Sequence, residues 1–196
     1  MNYNEDRKIL ADVDGVFLNW EEAFERWMSA RGYEIAAPAQ YKMSVKYGIE
    51  QHTADHLVGI FNNSAWIGYL NPLRDAVDWV HKLVSEGWHF DCITSLSDDP
   101  YAARLREMNL EHWFGRGAMR RVQCIATGAD KDEYLKAYEH SHWWIEDKPE
   151  NAMAGLYAGH KPILIQHDYN LDFFEADVTV AENWQQIYNL ITNSEE

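Results

Sequence analysis

Lys8-Ile9-Leu10-Ala11-Asp12-Val13-Asp14-Gly15-Val16 opens on an apolar run and closes on two aspartates, one residue apart, followed by glycine. The run Ile9–Val13 is short and nearly continuous rather than alternating, the pattern of a strand covered on both faces. Runs of the same kind recur at Trp88–Thr94, Val122–Ile125, Trp143–Ile145, Pro162–Gln166 and Val178–Val180. Helical patterns fill the gaps. Val77, Val80, Leu83 and Val84 share one helical face, and Gly87 follows as a C-terminal stop. Asp99-Pro100 reads as an N-cap with proline at the first helical position, opening a helix over Tyr101–Met108. Strands and helices in alternation predict an α/β fold: an open, mainly parallel sheet flanked by helices.

One interval breaks the rhythm. More than seventy residues separate the first two strands, whereas a parallel crossover needs about a dozen. Trp20, Phe24, Trp27 and Met28 have helical spacing, and Ile49–Phe61 holds a further helical piece. Residues 18–70 are therefore read as a small helical cap, inserted into a core domain of residues 1–17 and 71–196. No repeat, low-complexity segment or flexible linker interrupts the chain, and Asn193–Glu196 reads as a frayed end.

Composition narrows the function. Lys plus Arg number 17 against 32 Asp plus Glu, a net charge of −15, which disfavours a nucleic-acid polymer or an anionic membrane as partner. No apolar run is long enough to cross a bilayer, and Met1–Lys8 lacks the apolar stretch of a secretory signal, so a cytoplasmic location is expected. Cys92 and Cys124 each sit inside a strand-like run and read as reduced core thiols. No stretch carries an oligomer signal, and a homodimer stays open. An acidic protein that binds a small phosphate needs a metal ion and a few placed cations to reverse the local potential.

In a parallel α/β sheet the ligand sits beyond the carboxyl ends of the strands. The first predicted strand is followed by Asp12-Val13-Asp14-Gly15, the second by Thr94-Ser95, the third by Asp130-Lys131, and the fourth by Glu146-Asp147-Lys148. Singly, each has an ordinary explanation: Asp-Gly marks turns, Thr-Ser caps helices, a lone lysine is a solvated charge, and an acidic pair suits a helix N-terminus. Their order, one set at each strand end, is what suits phosphate and a divalent cation. Other candidates are weaker. His52 and His56 have helical spacing but read as surface histidines, and Arg116, Arg120 and Arg121 read as a basic surface loop.

With these residues in view, the chain resembles the haloacid dehalogenase superfamily of phosphatases over roughly residues 8–180. The resemblance extends to the 5′(3′)-deoxyribonucleotidases and their bacterial and phage relatives. It rests on Asp12-Val13-Asp14-Gly15-Val16, Trp66-Ile67-Gly68-Tyr69-Leu70-Asn71-Pro72-Leu73, Ile93-Thr94-Ser95 and Ile145-Glu146-Asp147-Lys148. The chain departs from the usual pattern in having Leu96 where relatives often have proline, and Glu146 in place of the first of two aspartates.

The resemblance implies a Rossmann-like sheet and a magnesium-dependent phosphatase. It assigns Asp12 as the nucleophile that forms an aspartyl-phosphate, and Asp14 as acid and base toward the leaving oxygen and the attacking water. Thr94, Ser95 and Lys131 are then phosphate ligands. The Mg2+ ligands are the Asp12 side chain, the Asp14 backbone carbonyl and the Asp147 side chain, with Glu146 in support or as an alternative ligand. The implied substrate is a nucleoside monophosphate, with deoxyribonucleotides favoured. Phe61, Trp66 and Tyr69 are candidates to stack on the base, while Trp20, Phe24 and Trp27 are expected to form the cap's own core. Two alternatives remain: a phosphatase for another small phosphoester such as a sugar phosphate, and a phosphate- or nucleotide-binding protein without catalysis.

Overall fold

The structure is a computed structural model that describes residues 7–193. Most of the polar N-terminal stretch and the tail beyond Asn193 lie outside the described residues. Six strands form one sheet: β1 (Lys8–Ala11), β2 (His89–Ser95), β3 (Met119–Ile125), β4 (Trp143–Glu146), β5 (Lys161–Ile165) and β6 (Thr179–Ala181). Their order is β3-β2-β1-β4-β5-β6, and every neighbouring pair is parallel. The fold is the predicted α/β sheet.

Five of the six strands fall within two residues of the expected bounds. The exception is β3, which begins at Met119 rather than Val122. It is an edge strand, and Arg120 and Arg121 at its start are exposed, so no apolar run marks that part. Charge at an edge also blocks pairing with another chain.

Between β1 and the next core helix lie α1 (Trp20–Ser29), α2 (Met43–Tyr47), α3 (Gln51–Asn62) and a 3₁₀ turn (Ala65–Tyr69). Helix α1 starts where Asn19 accepts from the Glu22 amide at 3.2 Å, and it buries Ala23, Phe24, Trp27 and Met28. Chain exit and return run side by side: Leu18 bridges Pro72, and the Asn19 amide donates to the Asn71 carbonyl at 2.8 Å. Helices α4 (Ala76–Ser85), α5 (Pro100–Phe114), α6 (Asp132–Lys136), α7 (Pro149–Tyr157) and α8 (Trp184–Asn193) complete the chain. Asp99 caps α5 as predicted, but the helix runs six residues past Met108, to Gly115 at φ +82°.

One apolar cluster is continuous from α1 and α3 to the sheet. It includes Phe24, Trp27 and Phe61 as well as Ile9, Phe17, Phe90 and Trp184. Phe17 stands at its centre, 5.2 Å from the Phe90 ring and 4.9 Å from that of Trp184. The Trp184 indole also donates to the Val16 carbonyl at 2.8 Å, fixing from below the loop that carries Asp12 and Asp14. On the other face Trp144 is fully buried against α7. Cys92 is buried, Cys124 half-buried, and both are free thiols.

Candidate active site

Strand order reverses between β1 and β4, and this is where a doubly wound sheet opens its crevice. The Asp12 amide donates to the Ile145 carbonyl at 2.9 Å, prolonging the β1–β4 ladder by one residue. That bond sets Asp12 beside Glu146 and Asp147. Gly15 then bends the chain at φ +75°, and a Cβ there would lie 2.5 Å from Asp147 Oδ2. Only glycine combines that turn with so close an approach.

The result is an acidic centre. Asp12, Glu146 and Asp147 each offer an oxygen within 4.8 Å of the others. Lys131, brought in at the start of α6 and 1% exposed, donates to Asp12 Oδ2 at 2.9 Å and to Glu146 Oε2 at 2.8 Å. Both oxygens of Glu146 are engaged, because Oε1 accepts from the amides of Asp147 and Lys148 at 3.1 Å. Asp12 Oδ1, by contrast, is buried with no hydrogen-bond partner among the described residues, and so is Thr94 Oγ1. The Ser95 hydroxyl donates to the Ala129 carbonyl at 3.0 Å.

Burial dominates the electrostatics. It pushes Asp12 up to about 6 against the pull of Lys131, Asp147 to about 6, and Glu146 to about 7. Asp14 is raised as well, burial outweighing the neighbouring guanidinium of Arg106. With Asp12, Asp14, Glu146 and Asp147 ionised against Lys131 and Arg106, the balance is 2 − 4 = −2. An all-oxygen donor set with that deficit and an unpartnered buried carboxylate oxygen fits a hard divalent cation such as magnesium. His52 and His56 are exposed and belong to no metal-ligating group among the described residues.

Sequence reasoning missed Arg106, which is fully buried on α5 and holds both oxygens of Asp14. A signal was present: Arg106 shares a helical face with the buried residues Ala102, Asn109 and Leu110. Tyr169 was missed too; its hydroxyl donates to Asp147 Oδ2.

Above the centre lies a cavity of about 610 Å³, lined by Asp12, Asp14, Thr94, Ser95, Lys131 and Asp147 on the sheet side. The expected base-stacking residues are elsewhere. Phe61 is fully buried among Trp20, Phe24 and Trp27, while Trp66 and Tyr69 are exposed, Tyr69 to 80%. None of the three lines the cavity. Helix phase is the reason: α3 turns Ala54, Leu57 and Phe61 into the core and Gln51, Asp55, Val58 and Asn62 toward the cavity. The aromatic rings in the wall are Trp20, Tyr41 and Tyr169. Trp20, expected in the cap's core, does both: it stacks on Phe24 at 4.6 Å, and its indole donates to Asn62 Oδ1 at 2.9 Å.

The fold is shared with solved proteins. A haloacid dehalogenase-like family hydrolase from Streptococcus pneumoniae superposes with a TM-score of 0.65 over 94% of this chain and 98% of its own, at 12% identity. The fold is that of the haloacid dehalogenase-like proteins. A D,D-heptose 1,7-bisphosphate phosphatase from B. bronchiseptica, complexed with magnesium and phosphate, superposes with a TM-score of 0.59 over 96% and 99% of the two chains, again at 12% identity. In sequence, the chain is 28% identical over 137 residues to an uncharacterized 32.4 kDa protein of the Gp30-rIII intergenic region of Enterobacteria phage T4. That match takes in 65% of this chain and 48% of the relative, so the chain spans about half the length of the curated protein it matches. No family model matches the sequence.

Proposed function

We propose that the chain is a magnesium-dependent phosphomonoesterase that works through an aspartyl-phosphate on Asp12, with nucleoside monophosphates as substrates. One observation carries the reading: a buried aspartate oxygen without a partner, Asp12 Oδ1, in the wall of a cavity and grouped with Glu146 and Asp147. Such an atom is costly unless a ligand satisfies it.

The Asp12 and Asp147 carboxylates and the Asp14 backbone carbonyl would hold the ion, with Glu146 bracing Lys131 and the β4 turn behind them. Bound there, magnesium offsets the negative charge that would otherwise repel a phosphate dianion. The residues of the chain do the rest. Lys131 fixes the Asp12 carboxylate and adds positive charge beside the entering phosphoryl group. Thr94, whose hydroxyl has no partner among the described residues, donates to a phosphate oxygen. Asp12 attacks phosphorus, and Asp14 gives a proton to the leaving oxygen and later takes one from the hydrolytic water.

Residues 18–70 act as the substrate-selecting cap. Their contribution to the wall, Trp20, Tyr41, Met43 and the α3 stripe of Gln51, Asp55, Val58 and Asn62, pairs aromatic faces with amide and carboxylate groups. That mixture suits a nucleobase, stacked and hydrogen-bonded at its edge. The polar stripe also favours a second reading, a sugar phosphate, the kind of substrate named for the heptose bisphosphate phosphatase of like fold.

The test has two steps. Asp12→Asn should abolish phosphate release, a loss of about 10⁴-fold or more for a nucleophile, and turnover at the parent rate would remove Asp12 from that role. A panel of nucleotides and sugar phosphates should favour nucleotides. Equal kcat/KM across the panel ends the nucleotidase reading, and no turnover of any phosphomonoester with magnesium present ends the phosphatase reading.

A further inference from the structure

Arg106 lies on α5, is fully buried and does not line the cavity. A guanidinium taken out of water needs an anionic partner. Here Nη1 donates to Asp14 Oδ1 and Nη2 to Asp14 Oδ2 at 3.0 Å, while Nε has no acceptor. Among the described residues, the hydrogen bonds of this side chain therefore all go to Asp14. Two parallel bonds fix the plane of a carboxylate as well as its distance.

Asp14 itself is only partly buried, with its side chain 21% exposed, and it faces the cavity. A carboxylate two residues from Asp12 could otherwise turn inward and join Asp12 and Asp147 around a cation. The fork on α5 instead holds both its oxygens, and Asp14 is outside the group formed by Asp12, Glu146 and Asp147. Phe114 and Leu110, also on α5, pack into the main core and anchor the helix that carries the fork.

We propose that Arg106 is a positioning residue that holds the Asp14 carboxyl group in the cavity wall, so that its outer lone pairs face the oxygen leaving phosphorus. The inference rests on the phosphatase reading above. In the first half-reaction Asp14 enters protonated on the side turned away from Arg106; the Asp12–phosphorus bond forms and the bond to the leaving oxygen breaks, that oxygen taking the Asp14 proton. In the second, water attacks phosphorus, gives a proton to Asp14, and Asp12 is released. Both transfers use the same carboxyl group, and both need it in one place.

The experiment compares the parent protein with Arg106→Lys, which keeps the charge and loses the fork. The substrates are an alkyl phosphate (a nucleoside monophosphate) and p-nitrophenyl phosphate, whose leaving group departs without a proton. For the alkyl substrate kcat should fall about 10²-fold with KM within about threefold of the parent value. For the aryl substrate the first turnover should stay within about fivefold of parent, followed by a slow phase in which phosphorylated Asp12 accumulates. Equal loss on both substrates at the first turnover, a change in KM alone, or parent kinetics would overturn the proposal. If the lysine variant does not fold, Arg106→Gln, which keeps one donor and drops the buried charge, is read in the same way. A parent protein that hydrolyses neither substrate is a failure of the phosphatase reading and is recognised before any variant is made.

Discussion

At the scale of single residues, Asp147 is braced by the groups around it. Gly15 leaves room for it, Asn170 Nδ2 donates to its backbone carbonyl at 2.7 Å, and the Tyr169 hydroxyl donates to its Oδ2. Burial pushes the Tyr169 phenol above its ordinary range, so the hydroxyl keeps its proton and remains a donor. The ring is held in turn: it lies parallel to His167 at 5.1 Å, and His167 Nε2 pairs with the Gly15 carbonyl at 2.7 Å. Partners of this kind orient a metal ligand, and their loss typically weakens binding 10- to 100-fold. Tyr169→Phe removes the hydroxyl and keeps the stack. It should therefore weaken magnesium binding in a calorimetric titration by about one to two orders of magnitude, with kcat at saturating magnesium near the parent value. An unchanged affinity would show that Asp147 needs no such brace. Nothing in the sequence singled Tyr169 out, because His167-Asp168-Tyr169-Asn170 follows a strand end without a recognisable pattern.

At the scale of elements, the site depends on how closely helices can approach the sheet. Helix α7 crosses β4 at Gly155, where a Cβ would lie 2.2 Å from Trp144 Cδ1. Trp144 has no room to yield: it is fully buried, and its indole donates to the Asn151 carbonyl at 2.9 Å. Gly155→Ala must therefore move α7 or β4, and overpacking of this kind costs about 1–3 kcal/mol. Urea unfolding should show a lower midpoint at an unchanged slope; a midpoint equal to the parent's would mean that the helix shifts freely. Since β4 ends in Glu146, directly before Asp147, the same variant should also weaken magnesium binding.

Most of this layer was legible from sequence. Strands buried on both faces announce themselves as apolar runs, and a parallel topology then gathers their C-terminal residues at one edge, so Asp12, Thr94, Lys131 and Glu146-Asp147 could be grouped before any coordinates. The α3 face was less legible. Phe61, Trp66 and Tyr69 lie close together in sequence, but helix phase sends Phe61 into the core, and the 3₁₀ turn leaves Trp66 and Tyr69 on the surface. Arg106 was hard to read for a different reason, its helical spacing from Ala102 and Leu110 being a faint sign. A lone arginine in a polar helix reads as solvated, and its partner Asp14 is 92 residues away.

At the scale of the whole molecule, a protein of net charge −15 concentrates part of that negative charge in its interior, and this makes stability depend on what neutralises it. Without a cation, protons do so. Asp12 and Asp147 rise from 3.8 to about 6, and Glu146 from 4.5 to about 7. A carboxyl group whose pKa is higher folded than unfolded stabilises the fold below its unfolded value and loses that contribution as pH rises through the folded one. The metal-free protein should lose this contribution between about pH 4 and 7. His142 and His167 act in the opposite sense, since burial lowers both and their neutral forms favour the fold as pH rises. His142 does not line the cavity, and its effect cancels in the difference between samples with and without the ion. His167 lines it beside Tyr169, and its charging at low pH opposes a cation, so in that difference it works in the same direction as the carboxylates. Magnesium competes with protons for the carboxylates, and a ligand that binds only the folded state raises stability by RT ln(1 + [L]/Kd). The rise in melting temperature on adding magnesium to chelator-treated protein should therefore grow steadily from pH 5 to pH 8. In Asp12→Asn, which removes one charge from the cluster, it should shrink at every pH. A shift of constant size across that range would mean that the ion binds away from these carboxylates, and no shift at any pH would leave the buried deficit of two charges without its counter-ion.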